Sequence, residues 1–223
     1  MKHMQIVFLA LVAFLGTLPG ISLAQENADN PSHLIEQSTQ KVLQALEAQT
    51  GTGETVSVSA LADELLSILE PVVDFDSIAR GVMGKYGRTA SDAQIEEFAT
   101  VFRESLVSLY ARSFRTFDIR EIRVLDMPGD FDPATAEKAS VGMQATTADG
   151  ESFSLSYSMR RNATGNWVVR NIVVDGINLG LTYMNQFDGA MSRHGSIDKV
   201  IAQWPEEMRE QTVVDKDKDK DKG

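Results

Sequence analysis

The sequence predicts an α+β domain in which helices pack on a curved antiparallel sheet. Three observations carry this. Apolar residues recur at helical spacing through the first half of the body. The hydrophobic period drops to two between residues 119 and 175, and helical spacing returns from about residue 179.

The elements follow in order. Asn30 and Pro31 give a cap followed by proline at the first helical position. Leu34, Ser38, Val42, Ala45 and Leu46 then recur on one face until Gly51 and Gly53, where a Gly/Thr linker is expected. Leu61, Leu65, Ile68 and Leu69 predict a second helix that Pro71 ends, and Asp74 or Asp76 can cap a short third helix containing Ile78, Val82 and Met83. Ser91 with Gln94 three residues later forms a capping box. It opens a fourth helix with a wide apolar stripe of Phe98, Val101, Phe102, Ser105, Leu106, Leu109, Tyr110 and Phe114.

After Phe117 four strands in an antiparallel meander are predicted at 119–125, 139–147, 152–159 and 167–175. Turn signals separate them at Pro128 and Gly129, at Asp149 and Gly150, and at 162–166. The third alternates most cleanly, with Phe153, Leu155, Tyr157 and Met159 on a core face and Ser152, Ser154, Ser156 and Ser158 on a wet one. A helix over 179–194 carries Tyr183, Phe187 and Met191 and stops at Gly195. A short helix capped by Ser196 closes the fold.

The termini read differently from this body. Lys2, the apolar run 6–15 and the small residues Ser22 and Ala24 form a secretory signal over 1–24, too short to span a bilayer. Residues 25–30 read as a flexible lead-in, 31–212 as one domain (helical over about 31–117 and 177–204, sheet over about 119–175), and 213–223 as a disordered Asp/Lys tail. The mature chain is expected to be exported and soluble, starting near Gln25.

Composition narrows the chemistry. The 223 residues hold 21 Lys and Arg against 32 Asp and Glu, for a net charge of −11. Losing Lys2 with the signal takes that to −12, which argues against nucleic acid as a partner. The absence of cysteine excludes disulfides, thiol nucleophiles, thiolate metal sites and a lipidated N-terminal cysteine. With only His3, His33 and His194 available, histidine-based metal catalysis is a poor fit, and no cofactor is expected.

The polar constellations have plain explanations. Gly81, Gly84 and Gly87 lack the preceding strand and the Lys-Ser/Thr ending of a phosphate loop. Asp126, Asp130 and Asp132 lack EF-hand spacing and read as a solvated hairpin turn. Asn162, Ala163 and Thr164 read as a turn, and His194 as the exposed last turn of a helix, where an imidazolium suits the dipole. Asp175, at the end of a largely apolar strand, is the one carboxylate placed to act as a buried acid or base. The alternative is a turn residue before Gly176.

The order of motifs resembles the MlaC family of periplasmic phospholipid-binding proteins, also called toluene-tolerance proteins. Tyr86 and Arg88 leading into 89–94, then Phe98, Phe102, Leu106, Val107 and Tyr110, are similar to that family's central helix. Residues 167–169, the run Asp175, Gly176, Ile177, Asn178 and Leu179, then Tyr183, Gln186, Phe187, Gly195 and Ile201, resemble its closing signature.

The resemblance implies an NTF2-like curved sheet with a helical subdomain, enclosing an apolar cavity that takes the acyl chains of a glycerophospholipid. It also implies two partners, an inner-membrane transporter subunit with an MCE domain and an outer-membrane lipoprotein–porin complex, in a pathway that maintains outer-membrane lipid asymmetry. By analogy of fold and by facing direction, the lipid-binding walls are expected at Val82, Phe102, Leu106, Tyr110, Met143, Phe153, Leu155, Tyr157, Val169, Leu179 and Tyr183. Two other readings remain open: an NTF2-like enzyme of isomerase or dehydratase type using Asp175, and an envelope adaptor with a filled core and no ligand.

Overall fold

A computed structural model describes residues 30–51, 57–113 and 119–220. The expected signal, the lead-in up to residue 29, Gly53, Phe114 and Phe117 lie outside the described residues.

Six α-helices and five strands are found among those residues: α1 Pro31–Gly51, α2 Val58–Leu69, α3 Phe75–Val82, α4 Asp92–Ser113, β1 Ile119–Val124, β2 Lys138–Thr147, β3 Ser152–Arg161, β4 Trp167–Val174, β5 Ile177–Asn178, α5 Leu179–His194 and α6 Ile197–Lys220. The helices start where side-chain oxygens satisfy their orphan amides. Asn30 Oδ1 accepts from Ser32 N at 2.9 Å, and Ser57 Oγ accepts from Ala60 N at 3.2 Å. Asp74 rather than Asp76 caps α3, its Oδ1 accepting from Ser77 N at 3.0 Å. The capping box on α4 is reciprocal: Gln94 N donates to Ser91 Oγ at 3.2 Å and Ser91 N to Gln94 Oε1 at 3.0 Å. Gly195 ends α5 in the left-handed region at φ 76°.

Two helices differ from expectation. On α1, Val42, Ala45 and Leu46 are buried as the pattern suggests, but in the first turns the buried residues are Ile35 and Thr39, with Leu34 and Ser38 half-buried beside them. The last helix is not short. Its backbone stays helical through Lys220, across the alternating segment expected to be disordered. No glycine or proline lies between Pro205 and Gly223 to stop it.

The strands form one antiparallel sheet in the order β1-β2-β3-β4-β5. Val141 pairs with Tyr157 and Met143 with Leu155, so the buried alternate residues of β2 and β3 share a face. The other face carries a hydroxyl ladder, with Ser140 Oγ 3.0 Å from Ser156 Oγ and Thr146 Oγ1 3.2 Å from Ser152 Oγ. The fifth strand was not expected, since two residues have no period to read. Asp175 (φ 46°) and Gly176 (φ 81°) make the two-residue turn that folds it back on β4, the geometry that favours Asp-Gly.

The free edge of β4 is also covered before β5 begins. Val73 bridges Val169 in parallel, with Asp74 N donating to Val169 O at 3.0 Å and Val169 N to Val72 O at 2.8 Å. Asp74 Oδ2 accepts from Arg170 Nη1 at 2.7 Å, fixing the start of α3 against the sheet.

The apolar interior divides in two. One cluster joins the sheet's inner face to α3, the N-terminal half of α4, α5 and α6. The other joins α1, α2 and the C-terminal half of α4.

Candidate functional site

Where these two clusters meet, side chains leave a cavity of about 90 Å³ with an almost wholly apolar surface. Five pieces of the fold wall it. Leu65 and Leu69 come from α2, Val73 and the α3 residues Phe75 and Ile78 from beside the sheet edge, and Phe102, Leu106, Val107 and Tyr110 from α4. Val169, Asn171 and Ile172 come from β4, and Leu179, Gly180 and Tyr183 from α5.

Each wall is held from behind. Phe102 and Tyr183 stack edge to face, centroids 5.4 Å apart, and Phe102 also meets the rings of Phe98 and Trp204, which both meet Phe187. Within that group Phe98 meets Phe187 at 4.9 Å and Trp204 at 5.1 Å, both near perpendicular, the arrangement ring quadrupoles favour. Leu65 and Leu69 are held by aliphatic packing with α1 and α4.

The polar groups at the lining are already committed to the protein. Asn171 Nδ2 donates to Asn178 Oδ1 at 3.0 Å, and Gly180 N donates to Asn171 Oδ1 at 3.0 Å. This ties β4 to the first turn of α5. A β-carbon at Gly180 would lie 2.8 Å from Asn171 Oδ1, so glycine permits the close approach. Tyr110 and Tyr183 place their hydroxyls 3.2 Å apart. Burial pushes the Tyr110 hydroxyl well above the usual tyrosine range, with the neighbouring Tyr183 adding to it. Burial also raises Tyr183, to about 12, against an opposing pull from the bond to Tyr110. Both remain neutral hydrogen-bonding groups at any physiological pH.

Of the eleven expected wall residues, Phe102, Leu106, Tyr110, Val169, Leu179 and Tyr183 line the cavity. Val82, Met143, Leu155 and Tyr157 do not: they lie buried in the larger cluster, and Phe153 packs half-buried against it. The reason is geometric. They do belong to inward faces, but the rings of α4, α5 and α6 fill the space over that part of the sheet. Leu65, Leu69, Val73, Phe75, Ile78, Val107, Asn171, Ile172 and Gly180 line the cavity without having been singled out. The apolar ones among them carried only a signal of inward facing, which core and cavity residues share.

Asp175 is exposed, and its Oδ1 accepts from Ser154 N at 2.8 Å and Ser154 Oγ at 3.1 Å. It pins a turn and is not on the cavity lining. His194 is half-buried rather than exposed, with Nε2 3.0 Å from Glu207 Oε1. Asp132 closes its own turn by accepting from Ala134 N at 3.0 Å and Thr135 Oγ1 at 2.9 Å, and Asn162 Oδ1 likewise accepts from Thr164 N and Asn166 N. Among the described residues no group of His, Asp and Glu could hold a metal ion, and no helix is long and apolar enough to cross a membrane.

Comparison with known proteins adds three findings. Residues 36–206 match the family described as MlaC protein. The toluene tolerance protein ttg2D of Pseudomonas putida is 34% identical over 203 residues, covering 89% of each chain. The fold is similar to that of a phospholipid-binding protein from Ralstonia solanacearum solved in complex with a phospholipid, with a TM-score of 0.65 at 21% identity, over 82% of this chain and 99% of that one.

Proposed function

Because this chain belongs to the MlaC family, we propose that it is a periplasmic phospholipid carrier, taking acyl chains into the cavity between sheet and helices and moving lipid between an outer-membrane lipoprotein–porin complex and an inner-membrane transporter with an MCE-domain subunit. The observation that carries the reading is the cavity itself, whose walls are apolar and whose few polar groups are already paired. Each methylene brought into water costs about 0.8 kcal/mol. A two-chain lipid with about thirty of them therefore crosses an aqueous gap only if protein replaces membrane around its tails.

The cavity is small beside the roughly 300–1,000 Å³ of pockets that engulf a drug-sized ligand. Loading therefore widens it, along the seam between the two clusters that its walls straddle. The bound Ralstonia solanacearum protein supports the same ligand class through its shared fold. Neither rival reading gains a residue from the structure: the carboxylate named for acid–base chemistry holds a turn, and an adaptor needs no cavity.

The test is chemical. Protein purified from the periplasm without detergent, extracted with organic solvent and analysed by mass spectrometry, yields near-stoichiometric phospholipid. Protein that carries none, and takes up none from phosphatidylethanolamine or phosphatidylglycerol vesicles, refutes the carrier.

A further inference from the structure

Tyr110 packs against the helical cluster and Tyr183 belongs to the aromatic one, so their hydrogen bond crosses the seam at which the cavity lies. The two hydroxyls sit at the lining yet leave its surface almost wholly apolar, because each covers the other. They face each other from α4 and α5, 73 residues apart in sequence.

We propose that this pair is a polarity filter. It closes the cavity when empty, and it favours a ligand that places an oxygen acceptor, the carbonyl of an acyl ester, between the two rings over one that presents only hydrocarbon or ether there. The inference rests on the carrier reading above and deepens it. Widening the seam separates the two rings and breaks their bond. In an apolar surround a broken bond between buried hydroxyls is costly unless the ligand replaces it. Either hydroxyl can donate in the closed pair, and once the bond is broken the Tyr183 hydroxyl can turn its proton to a ligand oxygen. An ester carbonyl accepts such a proton well. An ether oxygen at the same position is a weaker acceptor, and a methylene is none. Because burial holds both hydroxyls in the protonated form, the preference is the same across the physiological pH range.

The mature full-length chain, stripped of lipid, is offered vesicles containing equal amounts of dipalmitoyl phosphatidylglycerol and its dihexadecyl ether analogue, and bound lipid is counted by native mass spectrometry. The wild type is expected to take the ester lipid over the ether lipid by a factor on the order of 2 to 10, the equilibrium worth of one neutral hydrogen bond. The double variant Tyr110→Phe/Tyr183→Phe keeps both ring shapes and removes both hydroxyls together, and its ratio falls to about one. A wild-type ratio of one overturns the filter whatever the variant does. So does a double variant that keeps the wild-type ratio, or one that is folded yet takes neither lipid. A wild-type protein that takes neither lipid refutes the carrier reading and this inference with it, whereas equal uptake of both refutes the filter alone.

Discussion

The two halves of the interior are built from different side chains. Around α5 and α6 the buried residues include Phe98, Phe102, Phe187 and Trp204, large rings in mutual contact with almost no exposed surface. Around α1 and α2 they are chiefly Val42, Ala45, Leu46, Leu61, Ala62, Leu65 and Leu69, smaller side chains. Perpendicular rings fix one another's position. Aliphatic chains on helices slide past each other at lower cost. The cavity lies between the ring-packed half and the aliphatic half, so the carrier proposed above would widen at the expense of the second.

The comparison predicts unequal responses to truncation. Trp204→Ala removes a ring that Phe98, Phe102 and Phe187 all touch and should cost about 3–5 kcal/mol in chemical denaturation. Leu65→Ala, which borders space that is already open, should cost nearer 2 kcal/mol, the low end for leucine truncation. Equal losses at the two sites would break the distinction between the halves.

Enlarging side chains should separate them as well, with a smaller effect. Leu155 is 3% exposed inside the packed cluster, so Leu155→Trp overpacks it and should lower stability by about 1–3 kcal/mol. Leu106→Trp projects into the cavity, and should leave the denaturation midpoint close to wild type while cutting the recovered lipid several-fold. If Leu155→Trp instead lost lipid with stability intact, the cavity would extend beneath β3 and the boundary drawn here would be misplaced.

These two leucines also show what the sequence could and could not convey. Strand β3 was legible because period two is a local property, and the capping box at Ser91 and Gln94 was legible because it spans four residues. Both fix which way a side chain faces. Neither fixes what stands opposite, and a cavity is an absence created by residues far apart: Leu65 and Leu179 meet there across more than half the chain. For the same reason Phe102, Tyr110 and Tyr183 reach the cavity lining while Met143 and Tyr157, equally inward, are buried in the packed cluster. The two-residue β5 is too short to carry a pattern, and α6 runs on through Pro205, a residue that reads as the end of a helix.

The smallest expected effect is electrostatic, and it again falls unequally on the halves. Glu207 on α6 receives hydrogen bonds from His194 and Arg193 in the last turn of α5. Partial burial works to raise its pKa, but the bonds from His194 and Arg193 outweigh it and the net shift is downward. A carboxylate depressed in the folded state contributes stability that is fully present above its unfolded pKa, about 4.3, and is lost as pH falls through the folded value. On the aliphatic side the corresponding tie, Arg103 to Glu70 at 2.9 Å between α4 and the end of α2, leaves Glu70 half exposed, where a pair is worth little. Glu207→Gln should therefore lower stability at pH 7 by about 1 kcal/mol and reduce the further loss between pH 6 and pH 3. Glu70→Gln should change the stability at pH 7 by less than about 0.5 kcal/mol. Urea midpoints at the two pH values measure both. A larger loss of stability at pH 7 from Glu70→Gln than from Glu207→Gln would mean that charge, unlike packing, braces the aliphatic half.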